Sequence, residues 1–208
     1  MSALKLGVLV SGSGTNLQAI IDSIKSGKLR VSVEVVISSR EDAFAIKRAK
    51  ESGIEAVAIC PEWFPSKAEY EEAMINKLRE AKVELVVLAG FLKVLSPHFI
   101  RAFAGRIINI HPSLIPAFCG KGYYGLKVHK AVLEYGAKVT GATVHFADEG
   151  TDTGPIILQK AVEVRDDDTP EILSKRVLEV EHEILPEAIR LFAEKKLDVV
   201  GRRVFIKE

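Results

Sequence analysis

The chain has 208 residues, 48% hydrophobic and 27% charged, with a formal net charge of +1. That is the balance of a soluble globular protein with one sizeable core, and it gives no bulk electrostatic reason to bind nucleic acid or a membrane surface. Two cysteines without metal-ligand spacing, Cys60 and Cys119, read as free thiols in a reducing compartment. No segment reads as a signal peptide or a span, so a cytoplasmic protein is expected. No internal repeat or low-complexity segment is visible.

Leu4 to Val10 reads as a buried strand. Ser11-Gly-Ser-Gly-Thr-Asn16 follows, and then Leu17, Ile20, Ile21 and Ile24 recur at helical spacing. A strand, a glycine loop and a helix leave backbone N–H groups at a helix N-terminus, an arrangement that suits a phosphate. Leu17 stands where the dinucleotide fingerprint needs its third glycine, and no Gly-Lys-Ser/Thr follows. The loop therefore suits a phosphate monoester better than a dinucleotide. A tight turn capped by Thr15 or Asn16 accounts for it equally well.

Val31 to Ile37 is a second strand, Glu41 to Glu51 a helix and Glu55 to Ile59 a third strand. Ser66-Lys-Ala-Glu69 is a capping box. It opens a helix whose apolar face carries Tyr70, Ala73, Met74, Leu78 and Ala81. Val83 to Ala89 is a fourth strand, and Ser96-Pro97 starts a short helix. The β-branched run Arg106 to Ile110 is a fifth, stopped by Pro112 and Pro116. Strands alternating with helices predict a doubly wound, Rossmann-like, mostly parallel sheet.

After Pro116 the pattern changes. Cys119 to Gly125 is a loop rich in glycine and tyrosine, and Leu126 to Tyr135 a helix closed by Gly136. Val139 to Phe146 and Ile156 to Val164 read as strands around an acidic, glycine-containing loop. Thr169-Pro170 starts a helix that Pro186 should kink or split. Val199 to Phe205 reads as a terminal hairpin. These strands predict an antiparallel C-terminal extension. One domain over residues 1–208 is expected, with a phosphate-binding βα half at 1–110. Residues 111–208 should carry the catalytic loops, strands and C-terminal helix.

Asn109 and His111 lie where the fifth strand gives way to a loop, two residues apart and so on one side of an extended chain. Ligands of open parallel sheets bind beyond the carboxyl ends of strands. An amide donor and an imidazole there can stabilise an oxyanion and move a proton. Taken alone, such a pair is more often a capping Asn and a surface His. Asp148 and Asp152 in the acidic loop add a carboxylate, which makes a plausible set for acyl transfer to an amine or water. No Gly-x-Ser-x-Gly elbow, no cysteine with an evident His partner and no zinc motif occurs.

The motifs resemble those of the phosphoribosylglycinamide formyltransferase family, the folate-dependent glycinamide ribonucleotide (GAR) transformylases of purine synthesis. Val10-Ser-Gly-Ser-Gly-Thr-Asn-Leu-Gln-Ala19 is similar to the family's phosphate loop, and Leu88-Ala-Gly-Phe-Leu-Lys-Val-Leu-Ser96 to its folate segment. Ile108-Asn-Ile-His-Pro-Ser-Leu-Ile-Pro116 resembles its catalytic strand and loop. Gly141 to Phe146 and Asp148 to Gln159 resemble the closing part of its site, and the likeness runs essentially end to end. This chain differs in having Cys119-Gly120 where Pro-Gly is common, and Lys67 where many members carry an Arg that contacts the folate.

The resemblance implies formyl transfer from 10-formyltetrahydrofolate, a co-substrate, to the amine of GAR, with no metal. It implies Asn109, His111 and Asp152 as catalytic residues. Gly14, Thr15, Asn16, Leu178, Glu179, Val180 and Glu181 would bind GAR. Lys67, Leu92, Lys93, Val94, Leu95 and Asn109, with Asp148, Glu149, Gly150, Thr151 and Asp152, would bind the folate. Hydrolysis of 10-formyltetrahydrofolate is the alternative, with water as acceptor. That family usually adds an N-terminal regulatory domain, for which a first strand at Leu4 leaves no room. Methionyl-tRNA formylation would normally need a C-terminal RNA-binding domain, whereas this chain ends at Glu208. A nucleotide-binding module or NADP-dependent oxidoreductase could use the glycine loop and Arg40, but lacks the third glycine. The expected partners are the two small substrates, with no nucleic acid or membrane, and a homodimer is left open.

Overall fold

The computed structural model describes residues 3–208. Two compact units divide between Ile108 and Asn109. The first holds β1 (Leu4–Val10), α1 (Thr15–Lys25), β2 (Val31–Ser38), α2 (Phe44–Glu51), β3 (Glu55–Ala58), α3 (Lys67–Glu80), β4 (Leu85–Leu88) and α4 (Pro97–Ala102). β5 (Ile107–His111) spans the division. The strand order is β3-β2-β1-β4-β5, with β1 parallel to β2 and β4, and β2 parallel to β3.

This order follows from the chain's composition. Leu6, Val8, Leu9, Val10, Val35, Val36, Ile37, Leu85, Val86 and Val87 are fully buried, the continuous apolar reading of strands covered on both faces. The helices supply the cover through Leu17, Ile20 and Ile21 of α1 and Tyr70, Met74, Ile75 and Leu78 of α3. Each such side chain contributes roughly 1.5–3 kcal/mol by leaving water. The chain winds from β1 out to β3 and then returns to the other flank of β1 as β4. The loops after β1 and β4 therefore flank the point where the winding reverses, the usual place for a ligand in such a sheet.

β2 ends one residue later than expected, β3 one residue earlier, and β4 is shorter at both ends, and three further differences occur in this unit. α2 starts at Phe44 rather than Glu41, because Arg40 folds back on the Asp42 carboxylate at 2.9 and 2.7 Å and makes a turn of that stretch. A 3-10 turn at Pro61–Trp63 was not foreseen. β5 runs one residue later than Arg106 to Ile110, so His111 is the strand's last residue rather than the first of a loop. The capping box at Ser66 forms as expected. Its hydroxyl accepts the Glu69 N–H at 3.2 Å and donates to the Glu69 carboxylate at 3.0 Å.

The second unit holds α5 (Leu126–Tyr135), β6 (Val139–Phe146), β7 (Ile156–Glu163), α6 (Pro170–Ala193), β8 (Leu197–Val200) and β9 (Arg203–Ile206). Its strand order is β5-β6-β7-β9-β8. β6 pairs antiparallel with β7 and β8 with β9, while β9 meets β7 in parallel. The fold is thus the expected Rossmann-like sheet with antiparallel C-terminal strands. Gly136 ends α5 at φ 77, and Thr169 caps α6 by accepting the Ile172 N–H. The split expected at Pro186 does not occur, since α6 is one helix of 24 residues. Burial of Ile184, Leu185, Pro186, Ala188 and Ile189 offsets the lost backbone bond and the ring's clash with the preceding turn. Among the described residues, no helix is long and apolar enough to cross a membrane.

Candidate active site

In the first unit the glycine loop joins β1 to α1. Gly14 is the N-cap of α1 at φ 71, with no side-chain cap bond, so neither Thr15 nor Asn16 fills the capping role. A Cβ at Gly14 would stand 2.6 Å from Ala45 Cβ and 2.8 Å from its Cα. The position needs glycine both for its left-handed backbone and for this close approach. The Gly14 and Thr15 N–H groups have no acceptor within α1, because the first turn of a helix supplies none. They are positive ends suited to an anion.

The segment after β4 is pinned at two points. The Leu92 N–H donates to Ser11 Oγ at 2.9 Å, and Ser11 shares a 2.7 Å hydrogen bond with Ser39. Four residues on, the buried Glu71 carboxylate accepts the Ser96 N–H at 2.8 Å and also the Ser96 hydroxyl. Lys67 lies 3.7 Å from Glu71 as its ion-pair partner. Between the pins Leu92, Lys93 and Val94 are exposed and Leu95 is half-buried. Two exposed aliphatic side chains, Leu92 and Val94, flank Lys93 on irregular backbone.

In the second unit a carboxylate organises the end of β5. Asp152 Oδ1 accepts the Asn109 amide at 3.4 Å, and its Oδ2 accepts the Gly120 N–H at 2.9 Å and lies 3.5 Å from His111 Nδ1. His111 Nε2 donates to the Phe118 carbonyl at 3.0 Å. His145 from β6 completes the group. Its Nδ1 donates to the Phe146 carbonyl at 2.8 Å, so in the neutral ring Nε2 is the acceptor for the Asn109 amide at 3.0 Å. Asp152 adopts φ 58, a left-handed backbone that Asp tolerates better than most residues. A Cβ on Gly154 would fall 1.8 Å from the Phe146 carbonyl oxygen, so glycine there lets the acidic loop lie directly on the end of β6.

The Pro112 to Ala117 loop is held as firmly. Thr143 donates to the Ser113 carbonyl at 2.6 Å and accepts the Ile115 N–H at 3.1 Å, and Gln159 donates to the Ile115 carbonyl at 2.9 Å. These bonds fix the backbone leading to the Phe118 carbonyl that orients His111.

Burial dominates the electrostatics. It pushes His111 below its ordinary value of 6.5, against the upward pull of Asp152 and the Phe118 carbonyl. The carboxylate favours the imidazolium, but desolvation outweighs it in the free protein. Asp152 is also pushed up by burial, yet ends below the ordinary carboxylate range through the nearby His145 ring, whose Nε2 lies 3.7 Å from Oδ1, the neighbouring His111 and the Gly120 N–H. It is therefore ionised at neutral pH. Burial and Asp152 together raise the Cys119 thiol, which instead donates to the Pro116 carbonyl at 3.3 Å.

The structure gathers Asn109, His111 and Asp152 into one group, with His145 as a member the sequence did not reveal. Asp148 is not in it. Its Oδ1 accepts the Gly150 N–H at 3.1 Å and the Thr153 hydroxyl at 2.6 Å, closing the acidic loop on itself. Glu149 and Gly150 are exposed and Thr151 half-buried. On α6 the residues Leu178 to Glu181 pass through one helical turn and cannot share a face. Glu181 is buried and Glu179 exposed, with Leu178 and Val180 between. His145 gave no signal because it sits in an eight-residue strand that reads as core.

Comparison with known proteins adds to this geometry. The formyl transferase family profile matches residues 4–189. A phosphoribosylglycinamide formyltransferase of Escherichia coli (strain K12) is 40% identical over 194 residues, covering 93% of this chain and 89% of that protein. The trifunctional purine biosynthetic protein adenosine-3 of Gallus gallus is 42% identical over 196 residues, and the chain spans only 19% of its length. Among solved structures, glycinamide ribonucleotide transformylase 1 from Symbiobacterium toebii superposes with a TM-score of 0.94 at 47% identity, covering 100% of this chain and 95% of that one.

Proposed function

The chain belongs to the formyl transferase family, and from that premise we propose that it transfers the formyl group of 10-formyltetrahydrofolate to the amine of 5'-phosphoribosylglycinamide. The products are 5'-phosphoribosyl-N-formylglycinamide and tetrahydrofolate, a step of de novo purine biosynthesis. The observation that carries this reading is the single carboxylate, Asp152, shared by the Asn109 amide and the His111 imidazole.

The reaction needs no covalent enzyme intermediate. The amine nitrogen bonds to the formyl carbon, and the carbonyl π electrons move to oxygen. The bond from that carbon to folate N10 then breaks, and a proton passes from the attacking amine to N10. The Asn109 amide turns to the developing oxyanion the N–H that it gives Asp152 over a long 3.4 Å bond in the free protein. His111 leans toward its neutral form in the free protein. Negative charge building on the adduct adds to that of Asp152 and favours its protonation, so it can give or receive the migrating proton. Asp152 stays ionised and supports that change. The Gly14 to Asn16 loop takes the substrate phosphate, Glu181 and its neighbours on α6 contact GAR, and the Leu92 to Leu95 backbone reads the folate ring. Lys67, exposed above Glu71, offers its ammonium to the folate's carboxylates. The free thiols Cys60 and Cys119 support a cytoplasmic setting.

The test is to mix 10-formyltetrahydrofolate with the protein, with and without GAR, and follow tetrahydrofolate. Release that requires GAR and yields formylated product is expected. Release at the same rate without GAR would assign the chain to hydrolysis instead.

A further inference from the structure

Arg48 lies on α2, outside every motif that stands out in the sequence. Its Nε donates to the Ser13 carbonyl at 2.8 Å and one terminal nitrogen donates to Gln18 Oε1 at 3.2 Å. Its guanidinium carbon is 4.8 Å from the centroid of the Phe44 ring. Gln18 is held in turn by Asp22, to which it donates at 2.9 Å. The guanidinium is thus fixed along its edge and over one face, and half-buried. One residue earlier in the loop, the Gly12 carbonyl accepts the Ala45 N–H at 3.1 Å. Two successive carbonyls of the glycine loop are therefore gripped by α2.

In a planar trans peptide the carbonyl and the N–H that follows it point in opposite directions. Holding the Gly12 and Ser13 carbonyls toward α2 turns the Ser13 and Gly14 N–H groups away from it. Successive N–H groups turned to one side form a concavity for an anion. Removing the guanidinium takes away the side-chain donor that holds the Ser13 carbonyl, and Gly14 resists rotation of the Ser13–Gly14 peptide least of any residue.

We infer that Arg48 is a positioning residue for phosphate recognition, acting on the Ser13–Gly14 peptide rather than on the phosphate. This rests on the reading of the loop as the substrate's phosphate site. A planar fork suits the task because it meets two acceptors while stacking on a ring, which an ammonium cannot do.

The experiment compares wild type, Arg48→Met, Arg48→Lys and Lys50→Met as full chains. Steady-state kinetics give KM for each substrate, and calorimetry gives the binding of ribose 5-phosphate, a probe with the monoester but no amine. Misorienting charge-assisted donors costs about tenfold or more in affinity. Arg48→Met should raise the GAR KM and weaken ribose 5-phosphate by that factor, with the folate KM and thermal midpoint near wild type. Arg48→Lys should recover little of the loss. Lys50→Met, which removes a positive charge from the same helix, should change nothing. Full recovery in Arg48→Lys, or an equal effect of Lys50→Met, would show that charge alone acts and overturn the assignment. So would equal shifts in both KM values. Should Arg48→Met fail to fold, Gln18→Leu removes one of the guanidinium's acceptors and should raise only the GAR KM. Wild-type protein that binds neither GAR nor ribose 5-phosphate would instead discard the phosphate loop itself. Wild-type binding that Arg48→Met leaves unaltered would discard only the role of Arg48.

Discussion

The loop after β1 and the end of β5 are built on opposite plans. The glycine loop offers backbone N–H groups, and side chains around it hold a carbonyl or leave room, as Arg48 and Ala45 do. The end of β5 offers side chains, and the backbone around it serves to aim them, as the Phe118 carbonyl and the Gly120 N–H do. A backbone site is sensitive to added bulk and insensitive to side-chain chemistry. A side-chain site has the reverse sensitivities. The two should therefore separate in kinetics, with substitutions in the loop acting on GAR affinity and substitutions at β5 acting on turnover.

The largest effects belong to β5. Removing one oxyanion donor typically costs roughly 100- to 1000-fold in turnover. His111→Ala and Asn109→Asp are each expected to lose about that much, with the GAR KM little changed, as read by steady-state kinetics. Asp152→Asn is nearly isosteric, keeps an oxygen for the Gly120 N–H, and removes the charge. It should lose turnover severely, and its second effect has a definite sign. Burial already holds His111 below 6.5, and Asp152 is the largest influence raising it, so the variant's His111 should titrate lower still by NMR. The same shift is a stability statement. A histidine depressed by folding contributes its full stability above about 6.5 and loses it as pH falls through the folded value. Asp152→Asn extends that losing window to lower pH. A His111 titration unmoved by the substitution would break the link between the carboxylate and the imidazole.

The matching effect in the loop is smaller and falls on binding. Gly14→Ala places a methyl group against Ala45 and forces a left-handed backbone on alanine. The backbone alone costs about 1–2 kcal/mol, so a lowered thermal midpoint and a raised GAR KM are expected together. Gly12→Ala is the control within the same loop, since a Cβ there meets nothing within 4 Å. Its midpoint and both KM values should match wild type. If Gly12→Ala were as damaging as Gly14→Ala, the loop would be responding to flexibility and not to a specific close approach.

The difference between the plans also explains what was legible in the sequence. Apolar runs and caps revealed the strands, the helix starts at Ser66, Ser96 and Thr169, and the hairpin, because these depend on local chemistry. Asn109 and His111 stood out as polar residues where a strand ends, and the family resemblance set Asp152 apart from Asp148 in the acidic loop. His145 did not stand out, because a histidine inside β6 looks like core until its partners are known, and Asn109, whose amide its Nε2 accepts, is 36 residues away. Glu71 was hidden in the same way. It looked like one more charge on α3, and only the fold brings Ser96 to it. The Phe118 carbonyl and Gly120 N–H carry no residue-type signal at all. Pro186 does not split α6, because a local rule about proline gives way when the surrounding helix is buried. The net direction of the His111 shift needed burial, which no spacing reveals.

The smallest expected effect separates the two carboxylates of the acidic loop. Asp148 directs its Oδ1 to the Gly150 N–H and the Thr153 hydroxyl, both of which donate to it. An asparagine oxygen accepts the same two bonds, so Asp148→Asn keeps the loop closed and loses only the strengthening that a charge gives them. Asp152 has no such substitute, because an amide cannot supply the charge that favours the His111 imidazolium. Turnover in Asp148→Asn should stay within about threefold of wild type, since each bond weakens by only a few tenths to about 1 kcal/mol, and the folate KM should rise modestly. Asp148→Ala removes both acceptors. It should speed amide exchange at Gly150 in hydrogen-exchange measurements and raise the folate KM further, while His111 titrates as in wild type. The pair distinguishes a carboxylate that shapes the loop from one that acts on the imidazole. Loss of turnover in Asp148→Asn as deep as that in Asp152→Asn, with an altered His111 titration, would show that the loop's closure and the charge at β5 are a single device.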